Sequence, residues 1–279
     1  MHSVSSTIHL SFFHNSVSSK CPRTASSLSM DSDFLKKDAS LQLLSLKPHL
    51  PRQKTATFCH LNFGRKQPSP EELGPHESLE FRNFIVREAF LNEEFWIAAA
   101  LRAEHKMENK SRYNHYEKRL HTIEEYDKIK KQCREPQPGH SSTCIIAVKK
   151  QVKDVTRIVL RSVVGTLDLN IRCLQFGQSY PRERVYATGF QVKERSSSRY
   201  GYIANVCVTK SYRRKGIAST MLSFAVKYAK SRGVNSVYAH VNRNDGPALA
   251  LFQKLGFEVL DIANPLLITC NLYLLGLQI

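Results

Sequence analysis

The segment SYRRKGIASTML, residues 211–222, sets Arg213, Arg214 and Lys215 directly before a lone Gly216 and then begins an amphipathic, helix-like run. It follows an apolar stretch ending in Val206, Cys207 and Val208. A strand, a short connection and a helix start, in that order, direct unpaired backbone N–H groups and the positive end of a helix dipole at one point in space. That is an anion site. Gly216 lets the backbone come close to a ligand, whereas a larger side chain is expected to project into it. Two phosphate-binding patterns are excluded, since no G-K-[ST] follows the glycine and no G-x-G-x-x-G is present. Cys207 is a potential nucleophile, but no His or Asp lies near it in sequence to activate it, so it reads as a buried thiol.

The elements that must hold this turn can be read outward from it. LEFRNFIVREA (79–89) reads as a strand, and LNEEFWIAAALRAE (91–104) starts a helix with Glu93 and Glu94 in its first turn. YNHYEKRLHTIEEYDKIKKQC (113–133) is a second helix whose many charges mark a solvated face. A loop, EPQPGHSS, leads to the strand TCIIAVKK (143–150), and RIVLRSVVGTLDLNI (157–171) is a longer strand or hairpin arm. The stretch 172–199 has no clean period and is longer than most connections in compact domains. YGYIANVCV (200–208) is a buried strand. A helix ending near Gly233, a strand VNSVYAHV, a helix opening at Pro247 and stopping at Gly256, and two terminal strands complete an α/β domain.

Composition bounds the function. At 279 residues and 42% apolar the chain has enough material for a core, and the C-terminal PLLITCNLYLLGLQI is too short and too interrupted to span a membrane. The seven cysteines form no C-x-x-C pair and have no metal-ligand spacing, so no metal site is expected. The first thirty residues hold ten serines and no Asp or Glu. That character fits an organelle transit peptide, and the scarcity of arginine favours a plastid over a mitochondrion. Residues 1–75 are read as transit peptide and linker, and 76–279 as the folded domain. Removing residues 1–66 still leaves +11 of the +17 formal charge, which suits a polyanionic partner. The basic residues are not interleaved with stacking aromatics, so nucleic acid is not expected.

Arg213-Arg214-Lys215-Gly216-Ile217-Ala218 resembles the R/Q-x-x-G-x-G/A signature of the GCN5-related N-acetyltransferases. The strand IANVCV, the strand VYAHV and the segment ALALFQKLGFE, similar to the family's A-x-x-L-Y-x-K-x-G-F helix, follow in the family's order. The resemblance covers residues 80–279, most specifically 202–257. It implies an α/β fold with a mixed sheet, splayed central strands and flanking helices, and acetyl-coenzyme A as co-substrate. The turn Arg213, Arg214, Lys215, Gly216, Ile217, Ala218 and Ser219 then cradles the pyrophosphate, and Val206, Cys207 and Val208 pair with the pantetheine arm. Asn244 and Asp245 share the slot of a family cofactor contact, with which of the two left open.

In such enzymes the substrate amine attacks the thioester directly, so no enzyme nucleophile is needed. A base is, because a lysine ammonium (pKa ~10.4) has no lone pair. VYAHVNRNDGPALALF matches the amino-terminal acetyltransferase branch, in which the histidine here numbered His240 is catalytic and a tyrosine matching Tyr202 partners it. Phe252 occupies the position of the family's general-acid tyrosine and has no proton to give, which leaves that proton to Tyr202 or water. The resemblance implies a protein N-acetyltransferase acting on N-terminal α-amines, lysine ε-amines or both, like plant plastid members. Two alternatives stand beside it: a small-molecule amine N-acetyltransferase, for an arylalkylamine or polyamine, and a non-catalytic acetyl-coenzyme A-binding regulatory domain.

Overall fold

Within CIIAV, residues 144–148, successive side chains go to opposite sides of a sheet. Cys144, Ile146 and Val148 enter one apolar cluster, Ile145 and Ala147 another. Both faces are covered, which is why the strand reads as an unbroken apolar run with no alternation. The computed structural model describes residues 61–74, 76–108, 114–150, 158–174, 178–181, 198–260 and 271–279. Its strands are β1 (Ser78–Phe81), β2 (Phe84–Glu88), β3 (Ser141–Lys149), β4 (Val163–Cys173), β5 (Arg199–Val208), β6 (Ser236–Asn242), β7 (Glu258–Val259) and β8 (Leu272–Gln278). They form a mixed sheet of order β1-β2-β3-β4-β5-β6-β8-β7, in which the β5–β6 pair alone is parallel among the described residues.

Helices cover both faces. On one side α5 (Ile217–Ser231) and α6 (Gly246–Lys254) bury Ile217, Met221, Leu222, Ala225, Ala248 and Phe252 against Leu167, Leu169, Ile203 and Val237. Each such side chain, fully buried, contributes roughly 1.5–3 kcal/mol when it is the size of Leu, Met or Phe. On the other side α2 (Asn92–Met107) and α3 (His115–Arg134) bury Phe95, Ala98, Ala99, Tyr126 and Ile129. The apolar positions of AVKYA in α5 recur at helical spacing, and Gly233 (φ 75°) ends the following turn as its type demands.

Three local readings differ from the sequence expectation. LEFRNFIVREA is a hairpin and not one strand, because Arg82 takes φ 51° and the chain reverses at Arg82 and Asn83. Residues 157–171 open with a helical turn, α4 (Val159–Ser162), before β4 begins. The described body also takes in residues 61–74. There α1 (Pro70–Leu73) has a capping box on Ser69 and Glu72, the Asn62 N–H donates to Glu93, and Lys66 bridges Ile158. Most of the unread stretch 172–199, and residues 261–270 with Cys270, lie outside the described residues, as do residues 1–60 with Cys21 and Cys59. No helix among the described residues is long and apolar enough to cross a membrane.

Candidate active site

The parallel pairing of β5 and β6 runs from Tyr200↔Ser236 to Ile203↔Ala239 and goes no further. Both strands continue, each on its other neighbour: β5 stays on β4 as far as Gly165↔Val208, and β6 stays on β8 through Asn242↔Leu272. The sheet is therefore split beyond Ile203 and Ala239, with the strand edge of Val206, Cys207 and Val208 on one side of the gap. The split begins at a bulge. Between the pairs Asp168↔Ala204 and Thr166↔Cys207, Asn205 and Val206 stand opposite the single Leu167, and Asn205 takes φ 53°. Asn is among the few side chains that tolerate that region.

A 3₁₀ turn at Lys210–Tyr212 leads from β5 to the basic turn, and α5 starts after Gly216. Gly216 is the helix N-cap at φ 84°, with no side chain capping the first turn, so the N–H groups of Ile217, Ala218 and Ser219 receive no side-chain cap. A Cβ built on Gly216 would stand 3.0 Å from the Phe81 Cζ. The glycine is thus required by its backbone angle and by the ring packed beneath it. A side chain there would meet the partly buried Phe81 ring.

The three cations have different surroundings. Arg213 places its guanidinium fork on Glu108, with Nη1 donating to Oε2 at 3.1 Å and Nη2 to Oε1, while its Nε donates to the Val208 carbonyl at 2.9 Å. It links the turn to the end of α2. Lys215 lies 4.8 Å from the Tyr212 ring centroid, on a ring that also carries Lys149 at 4.6 Å, and Arg214 is exposed in a left-handed conformation (φ 62°).

At the mouth of the split the Tyr202 hydroxyl lies 2.6 Å from Nδ1 of His240, and both side chains are buried. Their elements bring them together although they are 38 residues apart: Tyr202 pairs with Tyr238, so His240 lies one pleat further along β6 on the same face. Phe252 is fully enclosed, edge-to-face with Phe257 at 5.1 Å between centroids. Asp245 is buried and caps α6, accepting from the Ala248 N–H at 3.0 Å, while Asn244 is exposed. Burial pushes the Cys207 thiol up to about 12, against the pull of Arg102, so it is neutral at working pH and a poor nucleophile.

Sequence spacing does not reveal Glu108, Arg102, Asp168 or Asn205. For Arg102, Asp168 and Asn205 the signal was a polar residue inside an otherwise apolar run, as in AAALRAE, TLDLNI and IANVCV; Glu108, in the polar stretch EHKMENK, carried none. Among the described residues no group of His, Cys, Asp and Glu side chains is placed to hold a metal.

These features fit a thioester cofactor: an uncapped helix start for its phosphates and an open strand edge for its amide-bearing arm. The model of the Acetyltransferase (GNAT) family matches residues 121–257. The chain is 43% identical over 236 residues to an Arabidopsis thaliana protein named GCN5-related N-acetyltransferase 6, chloroplastic, covering 84% of this chain and 81% of that one. It is 35% identical over 65 residues to an N-alpha-acetyltransferase of Saccharolobus solfataricus, covering 23% of this chain and 39% of that one. Among solved structures, Arabidopsis thaliana NAA60 in complex with acetyl-CoA aligns over 70% of this chain and 98% of its own, at 17% identity and a TM-score of 0.45. The split mixed sheet, the uncapped turn and the extent of the 43% identity lead to one conclusion: this chain belongs to the GNAT family and is an acetyl-coenzyme A-dependent amine N-acetyltransferase.

Proposed function

We propose that the chain acetylates protein amines, at N-terminal α-amino groups, lysine ε-amino groups or both. The observation that carries this reading is the 2.6 Å contact between Tyr202 and His240 at the mouth of the split. A substrate ammonium has to lose a proton before it can attack, and an imidazole held by a hydroxyl at the mouth of the split is suited to take it. Tyr202 relays: its hydroxyl gives its proton to Nδ1 of His240 as it receives one from the ammonium. The freed amine attacks the acetyl carbonyl carbon, the C–N bond forms, the nitrogen gives up its second proton to water, and the C–S bond breaks. The thiolate leaves without a side-chain acid at position 252, which a thiol of pKa ~8.5 permits, and takes its proton from water.

The donor side of the reading assigns the pyrophosphate to the N–H groups of Gly216, Ile217, Ala218 and Ser219, with Arg214 and Lys215 supplying positive charge above them. Val206, Cys207 and Val208 pair through their backbone with the pantetheine arm, and exposed Asn244 is the member of its pair that reaches the cofactor, since Asp245 is held by its cap. The Ser-rich, acid-poor amino end and the chloroplastic relative support a plastid address. A fusion of residues 1–75 that stays in the cytosol overturns that address.

The test is acetylation of a peptide library with acetyl-coenzyme A, read by mass spectrometry with α- and ε-amine products counted separately. Products of either kind support the proposal. Turnover of arylalkylamines or polyamines without peptide products would replace it with the small-amine reading, and binding of coenzyme A with no turnover at all would replace it with a regulatory one.

A further inference from the structure

The bulge that starts the split is gripped from outside the site by a buried charged assembly. Arg102, from α2, sends one nitrogen, Nη2, to Asp168 Oδ1 at 2.6 Å and to Thr166 Oγ1 at 3.2 Å. Asp168 and Thr166 are the two residues of β4 whose register partners flank the bulge on β5. The second carboxylate oxygen of Asp168 accepts from Nδ2 of Asn205, the bulge residue itself, at 2.8 Å. Arg102, Asp168 and Thr166 are all buried. Burial, the largest single influence, works against the charge of Arg102, and Asp168 together with Cys144 and Glu125 outweighs it, holding the guanidinium above its ordinary pKa. A buried ion pair is seldom retained for stability alone, because apolar residues of similar volume do as well or better. This pair sits where the strand must take an unfavourable backbone angle and lose its parallel neighbour.

We infer that Arg102, Asp168 and Asn205 are positioning residues for acetyl transfer. Asp168 holds Asn205 in its left-handed conformation, Arg102 holds Asp168 and Thr166 at the spacing the bulge needs, and the backbone of β5 beyond Asn205 is thereby kept aimed into the split. None of the three touches the reacting atoms; they act through the β5 backbone. The inference rests on the split being the acyl-donor site.

The test is Asn205→Gly in the full chain. Glycine adopts φ 53° without strain, so the fold and the bulge angle stay accessible while the side-chain anchor is lost. Three quantities are compared with the parent: coenzyme A affinity by calorimetry, kcat and KM for acetyl-coenzyme A with the peptide library as acceptor, and amide hydrogen exchange of residues 204–208 without ligand. The expected result is exchange at Val206 and Cys207 faster by about tenfold or more, kcat lower by about tenfold, and coenzyme A affinity within about threefold, with a melting temperature close to the parent's. Asn205→Asp, which sets a second carboxylate against Asp168, should lower kcat further, and adding Asp168→Asn to it should restore part of the loss. Parent-like exchange and kcat in Asn205→Gly would overturn the inference alone. Equal losses in kcat, affinity and melting temperature would do the same, by reducing the assembly to a purely structural one. A parent that binds no coenzyme A would overturn the donor-site reading and this inference with it, and is a separable result.

Discussion

The two sides of the split are made of different material. On the proposed reading, the donor side is backbone: the edge of β5 beyond Asn205 and the first N–H groups of α5, set by one glycine at φ 84°. The proposed acceptor side is side chain: Tyr202 and His240, from two strands, joined through a 2.6 Å contact. Backbone groups survive most substitutions, whereas a side-chain site fails when one member goes. The donor side should therefore fail mainly through changes of conformation, and the acceptor side through loss of a functional group.

His240→Ala is the sharpest way to break that contrast. It should lower kcat by roughly 10²- to 10⁴-fold, the usual worth of a general base, while calorimetry finds coenzyme A affinity nearly unchanged. Tyr202→Phe should fall in the same range if the proton passes through the hydroxyl, and the double variant should be little worse than either single one. Parent-like turnover in His240→Ala would remove the histidine from the mechanism.

Gly216→Val should do the reverse, affecting binding before chemistry. A β-branched residue at that angle costs ~1–2 kcal/mol, and its Cβ meets Phe81 as well. Losing the alignment of a helix start, worth up to ~2 kcal/mol to an anion, predicts coenzyme A affinity weaker by about tenfold, with a melting temperature lower by several degrees.

Arg213→Ala separates a structural cation from a phosphate-binding one. It leaves the buried Glu108 carboxylate short of its fork, so stability should fall by about 1–3 kcal/mol in a denaturant melt. Coenzyme A affinity should change by less than about threefold, and adding Glu108→Gln should recover part of the stability. An affinity loss larger than the stability loss would return Arg213 to the phosphates.

Cys207→Ala should have the smallest catalytic effect, with kcat within about threefold of the parent, because the thiol is neutral and buried. Its signature lies in alkaline stability. The folded thiol is pushed up to about 12 while an unfolded one titrates near 8.5, so the unfolded state binds fewer protons above that pH. This thiol's contribution is undiminished below pH ~8.5 and falls by about 1.4 kcal/mol per unit above it, and Cys207→Ala should remove that fall.

The strand, glycine and helix of the proposed donor side were legible in the sequence because such an arrangement needs few residue types at fixed spacing. Tyr202 and His240 became legible through the family pattern, not through spacing, since nothing in a 38-residue separation states a contact. The Arg102–Asp168–Asn205 assembly was hidden for the same reason, its members lying 66 and 37 residues apart on three elements. The hairpin at Arg82 escaped because its turn lacks the Asn-Gly or Asp-Gly pair that signals one, and α4 because four residues carry too little period to be told from a strand.

The pairing pattern also gives the gap a stiff wall and a yielding one. β6 is laced to β8 by seven register pairs along its whole length, from Ser236↔Gln278 to Asn242↔Leu272. The facing wall is β5, whose ladder to β4 is interrupted at the bulge and backed by α2. Any widening of the gap, as for an acyl group longer than acetyl, has to come from the β5 wall. Selection for altered acyl-chain length should therefore collect substitutions on β4, β5 and α2 and leave β6 and β8 untouched.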